Sequence, residues 1–174
     1  MFVDVKLEGL DKLTYALNPK VYNQSLSRTI NEIGRKMTTK MSQDVRANYN
    51  IKAKSLRKFI KVSRSSQGRL IFNIVISSKQ RNVSNFGAKV LKKRGQVSIR
   101  IKKQGGRKVL KRAFKAKNSP AILQRVDGSQ EIRAVQTLSV PQMFNAKTLK
   151  KAEEIKDREF GKRFRKNLEF YISK

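Results

Sequence analysis

A chain of 174 residues with 42 Lys and Arg against 12 Asp and Glu has a formal charge of +30, and such a charge repels itself unless an anionic partner or an assembly neutralises it. It has no Cys, His or Trp, which excludes disulfides, thiolate and imidazole metal sites, and histidine acid–base chemistry near neutral pH. Its 38% of hydrophobic residues suffices for one modest core, and a single domain over 1–174 is expected.

The first residues, with Asp4 and Glu8, lack the apolar run of a secretory signal. The longest apolar run, Leu70–Ile76, is too short to span a bilayer, so neither export nor a membrane partner is expected. Phe2–Leu7 alternates as a short strand, and Asp11–Leu17 has a helical pattern that ends at Asn18-Pro19. From Pro19 to about Tyr49 the spacing predicts a long helix: Tyr22, Leu26, Ile30, Ile33, Met37, Met41 and Val45 recur every three or four residues. This stripe reads as core or a helix–helix seam in preference to a methionine-rich ligand groove.

Lys52–Val62 predicts a second, short amphipathic helix with Leu56, Phe59, Ile60 and Val62 inward. Leu70–Ile76 predicts a buried strand, and Ser77–Asn85 a polar connection. A basic β-hairpin region is expected over about 86–117. Val97, Ile99 and Ile101 alternate with Gln96, Ser98, Arg100 and Lys102, Gly105-Gly106 supplies a tight turn, and Lys108–Phe114 returns. A second hairpin, Ala121–Val126 with Ile132–Thr137, turns at Asp127-Gly128. Pro141 opens a closing helix with Phe144, Leu149, Ala152, Ile155, Phe160, Phe164, Leu168 and Tyr171 at helical spacing. The expected fold class is α+β: small antiparallel hairpins packed with a long helix in the N-terminal half and a C-terminal helix.

No Asp or Glu occurs between Asp44 and Asp127, an interval holding 24 of the 42 basic residues. Within it, Lys89–Lys117 interleaves cations with apolar side chains, unlike a disordered basic tail. Lys92, Lys93, Arg94, Arg100, Lys102, Lys103, Arg107, Lys108, Lys111 and Arg112 are the candidate contacts to phosphate or another polyanion. The alternative is a solvated face, or one neutralised by an acidic protein neighbour. Helix-turn-helix, zinc-finger and aromatic RNA-platform patterns are missing, so any DNA contact is to the backbone. Gly105-Gly106-Arg107-Lys108 is no phosphate loop, lacking the spaced first glycine and the terminal Ser or Thr. Glu153, Glu154, Asp157 and Glu159 read as a self-paired helix face in preference to a metal site. A nuclease needs carboxylates beside its basic groove, and here the basic region is the part without them, so neither an enzyme nor a cofactor is expected.

The order of features resembles the minor tail protein Z family, the tail completion proteins of lambda-like, long-tailed phages. The resemblance rests on Gly9-Leu10-Asp11 on to Leu17, then Ser27-Arg28-Thr29-Ile30-Asn31 in a long helix, then Ile51–Lys58 as a basic helix. It continues through Ala113-Phe114-Lys115-Ala116, Ile122-Leu123-Gln124-Arg125-Val126, and Ser139–Met143 before the closing helix. The basic run is less arginine-dense than that family's pattern. The resemblance implies a non-catalytic virion protein at the head-proximal end of the tail, made in the host cytoplasm and acting as an oligomeric ring. Its implied partners are tail and neck proteins such as the tail terminator and the head–tail connector, with phage DNA in the channel. Tyr22, Leu26, Ile30, Ile33, Met37, Met41, Phe144, Phe160 and Phe164 are then expected in the core or subunit interface. A non-specific nucleic-acid-binding protein, ribosome-associated or chromatin-like, is the rival reading of the same composition.

Overall fold

A computed structural model describes residues 18–77, 81–91 and 96–173. The expected strand at Phe2–Leu7, the helical pattern at Asp11–Leu17, and Lys92, Lys93 and Arg94 lie outside them. The fold is α+β, with two long helices and small sheets of two or three strands. The chain forms two compact units, one from 1–41, 60–75 and 146–174, the other from 42–59 and 76–145.

Helix α1 runs Pro19–Asn48. Pro19 suits a first helical position, and the Asn18 carboxamide oxygen accepts from the Lys20 amide at 3.0 Å, satisfying one free donor of the first turn. In the first unit its stripe Leu26, Ile33, Met37 and Met41 is buried, with Tyr22 and Ile30 half-buried. The closing helix, α3 (Ala146–Ile172; α2 is the short helix below), supplies Ala152, Phe160 and Phe164. Tyr22 meets Phe164 edge-on at 5.8 Å between ring centroids, and Phe160 stacks on Phe164 at 6.5 Å. Burying each ring contributes about 1.5–3 kcal/mol.

The same helix contact contains a buried polar cluster. Asn167 Nδ2 donates to Thr29 Oγ1 at 2.9 Å, and Thr29 Oγ1 donates to the Ser25 carbonyl at 2.8 Å. Ser25 Oγ donates to the Val21 carbonyl at 2.8 Å and lies 3.4 Å from the Asn167 carbonyl. Ion pairs flank the cluster: Lys36 with Glu159, and Arg163 with Glu32 at 3.5 Å. A ribbon of β1 (Ile60–Ser63) and β2 (Asn73–Ile76) completes this unit. It is fastened to α1 by reciprocal 2.9 Å bonds between the Asn31 carboxamide and the Ser65 backbone.

The second unit holds α2 (Ala53–Arg57), β3 (Arg81–Asn82), a 3-10 turn (Val83–Phe86), β4 (Lys89–Val90), β5 (Val97–Ile99), β6 (Lys108–Leu110), β7 (Ala113–Lys115), β8 (Ile122–Arg125), β9 (Ile132–Ala134), β10 (Gln136–Thr137) and a second 3-10 turn (Pro141–Met143). Antiparallel sheets β4-β5-β6 and β7-β8-β9 share one apolar cluster of Val83, Val97, Ile99, Ala113 and Ile122. Asn82 ties the pieces together. Its side chain accepts from the Ser84 and Ile122 amides and donates to the Ile122 carbonyl at 2.8 Å.

Several expectations are corrected. Lys52–Val62 is not one helix: α2 ends at Arg57, and Ile60–Ser63 is strand, because β-branched Ile60 and Val62 find a ladder partner in β2. Val62 is 42% exposed and does not face inward. Leu70–Ile76 is not a buried strand: only Asn73–Ile76 is strand, and Ile71 and Val75 are 50% and 59% exposed, as a two-stranded ribbon has an open face. The connection Ser77–Asn85 contributes to the core, with Val83 fully buried as Phe86 is beyond it.

Lys108–Phe114 is not one return strand. Arg112 takes φ 54°, and the chain leaves one sheet there and enters the other. Gly105 and Gly106 form no tight positive-φ turn; β5 and β6 are joined by an eight-residue loop, 100–107, and neither glycine has a positive φ. Ile132–Thr137 likewise divides between β9 and β10, which pair with β8 and β3 respectively. Pro141 opens a 3-10 turn, and α3 starts only at Ala146. Phe144, between the two, is buried in the second unit.

Candidate functional site

The second unit contains 22 Lys and Arg against three Asp and Glu, a net charge of +19. Asp127 pairs with Arg112 and Glu131 with Arg133 within it. The cations of the β5–β6 hairpin are therefore largely unopposed from within.

The loop 100–107 is not a free arm. The Asn50 amide donates to the Ile101 carbonyl at 2.8 Å, and the Lys103 amide to the Asn48 carbonyl at 2.8 Å. Tyr49 and Lys102 pair as an isolated antiparallel bridge. The loop is thus stitched to the end of α1, where free helix carbonyls accept amides and favour cations. The Gly105 amide closes a turn on the Lys102 carbonyl at 3.3 Å.

The arginines and lysines of this hairpin have different surroundings. Arg107 lays its guanidinium on Ser98, with Nε and Nη2 at 3.2 and 3.1 Å from Oγ and Nη2 at 2.8 Å from the carbonyl. The same Nη2 reaches the Gly87 carbonyl at 2.9 Å. This contact explains why Ser98, expected on the outward polar face, is buried at 4% exposure. Arg100 donates to the Lys103 carbonyl, and Arg112 pairs with Asp127. Each of these three forks, well shaped for carboxylates and phosphates, is engaged within the chain.

Lys102, Lys103, Lys108 and Lys111 are exposed, and among the described residues no carboxylate lies within ion-pair distance of them. Lys111 sits at the corner fixed by Gln124, whose Nε2 donates to the Lys111 carbonyl at 2.9 Å. Four point charges are thus presented on an anchored scaffold whose arginines serve as internal ties.

Sequence reading missed two supporting residues. Arg81 places its guanidinium 3.6 Å from the Phe59 ring centroid, a cation–π contact that no local pattern announces. Gly87 takes φ 63°, and its carbonyl is the one Arg107 engages. Among the described residues no group of three or more Asp and Glu is placed to hold a metal ion, and no helix is long and apolar enough to cross a membrane. Tyr22, Leu26, Ile30, Ile33, Met37, Met41, Phe160 and Phe164 line the interior of the first unit to the degrees given above. No family model, no curated protein and no solved structure matches the chain.

Proposed function

We propose that the protein is a non-catalytic structural component of a phage virion, a tail completion or neck protein needed for head–tail joining. In this reading it acts at the head-proximal end of the tail as an oligomeric ring, its basic surface turned toward DNA or an acidic neck protein. The observation that carries the reading is the charge segregation: +19 on one unit, with the hairpin lysines unopposed. A lone domain bears that self-repulsion poorly, whereas a ring around a nucleic acid receives counter-charge from it. The order of motifs shared with the minor tail protein Z family supplies the assembly context.

The test is deletion of the gene from the phage or prophage that carries it, followed by electron microscopy of the lysate. Filled heads separate from finished-length tails, or joined particles that fail to infect, are expected. Normal infectious particles would remove the protein from this role. The second reading is a non-specific nucleic-acid-binding protein, favoured by lysine point charges that suit a phosphate backbone and carry no base readout. It would then move to the front.

A further inference from the structure

We infer that the hairpin loop 100–107 and its flanks form a preformed rim for duplex phosphates, with Lys102, Lys103, Lys108 and Lys111 as the contacts and Arg107 as a positioning residue. The inference rests on the reading above that the basic unit meets a polyanion, and it names nucleic acid, not an acidic protein, as that polyanion.

Four observations carry it. The loop is held before any partner arrives, by the two 2.8 Å backbone bonds to Asn48 and Asn50 and by Arg107. Binding therefore orders little of the backbone, which favours contact by rigid placement. The planar guanidinium groups of Arg100, Arg107 and Arg112 each hold an internal partner, which competes with a bidentate clamp on guanine or a carboxylate. The groups outward without an internal partner are the ammonium groups of the lysines, compact charges that suit a phosphate at any angle.

No aromatic residue occurs between Gln96 and Arg112, so the rim has no platform for unstacked bases, and a duplex fits better than a single strand. An acidic protein partner would instead favour scattered compensating charges and a desolvated aromatic or arginine anchor. The loop has no aromatic anchor, and its arginines already have partners within the chain.

The experiment uses the full chain and a short random-sequence DNA duplex, with affinity measured across a salt series. Four phosphate contacts predict a log–log slope of about −0.9 for each lysine engaged. Lys102→Gln, Lys103→Gln, Lys108→Gln and Lys111→Gln combined should flatten the slope by roughly three to four. A control that removes four exposed lysines of the other unit, Lys20, Lys40, Lys147 and Lys150, should leave the slope nearly unchanged. Arg107→Lys keeps the charge and loses the Ser98 and Gly87 bonds, so a positioning role predicts a weaker, shallower salt response and faster amide exchange over 100–107.

An equal drop for the rim and control variants would overturn the rim in favour of diffuse charge. Tighter binding of poly-glutamate than of duplex, or of single strand than of duplex, would overturn the choice of partner. An Arg107→Lys protein that binds like the parent would overturn the positioning role. None of these outcomes bears on particle morphology. Failure of the rim with separated heads and tails in the deletion would leave the tail reading standing, and intact particles with a working rim would do the reverse.

Discussion

Two glycines of the first unit make one prediction with opposite signs. Gly34 lies in α1 and Gly161 in α3, and neither has a positive φ, so alanine is conformationally welcome at both. At Gly161 an added Cβ meets nothing within 4 Å. Gly161→Ala should stabilise by about 0.5–1 kcal/mol, through reduced freedom of the unfolded chain. At Gly34 the added Cβ would lie 2.6 Å from Phe72 Cε1 and closer still to Cδ1 and Cγ, so the root of the ring must shift.

The same helix gain is offset there by an overpacking cost of about 1–3 kcal/mol, for a net loss of up to about 2 kcal/mol. Thermal unfolding followed by circular dichroism should show Gly161→Ala higher by about 2–4 °C per kcal/mol and Gly34→Ala lower on the same scale. Adding Phe72→Leu should recover part of the Gly34→Ala loss, with a coupling of about 0.5–3 kcal/mol. If Gly34→Ala stabilises as much as Gly161→Ala does, the close approach of Phe72 to α1 is wrong.

Asn167→Ala leaves Thr29 Oγ1 without its buried donor and should cost about 1–3 kcal/mol in urea unfolding, whereas Thr29→Val with Asn167→Leu should cost much less. The Glu159 carboxyl is held below the usual carboxylate range, chiefly by the hydrogen bond from Lys36 and against a smaller opposing effect of burial. A carboxyl lowered on folding contributes stability above its unfolded range and loses it as pH falls through the lowered value. Glu159→Gln should therefore shift the urea midpoint down at neutral pH and leave it unchanged in strong acid. Gly87→Ala places a side chain at φ 63° and against the Asn50 carboxamide, 3.3 Å from its Cγ. It should lower the melting temperature and speed amide exchange in the Arg107-anchored loop, while Gly87→Asn should be milder in its backbone strain.

Local pattern carried the elements whose partners are near in sequence or whose periodicity is long. The 30-residue helix α1 shows its stripe and its Pro19 start directly, and the Asp127-Gly128 turn places Leu123 opposite Ala134 with Gly128 at φ 74°. What local pattern lacks is the identity of distant partners. Ile60–Ser63 reads as helix until β2 offers it a ladder, and Val83 reads as part of a polar connection until the two small sheets need a shared centre.

The candidate site divides in the same way. Its charge was evident in the spacing of acids, but which cations are outward was not. Arg107 and Lys108 are neighbours of the same sign, and only the fold puts Ser98 and Gly87 beneath the first. Lys92, Lys93 and Arg94 lie outside the described residues.

The uneven placement of carboxylates has a consequence for how the two units respond to ions. The first unit holds nine of the twelve Asp and Glu and sets several of them against its own cations across α1 and α3. Added electrolyte weakens such attractions slightly. The second unit has almost nothing to lose by screening and much repulsion to be relieved of. Within one polypeptide, salt therefore favours the second folded body more than the first, where 20 Lys and Arg against nine Asp and Glu leave a smaller excess to screen. Dilute buffer is then the condition under which the cationic body is least stable, and the polyanion proposed above would act there as a folding ligand as well as a binding partner.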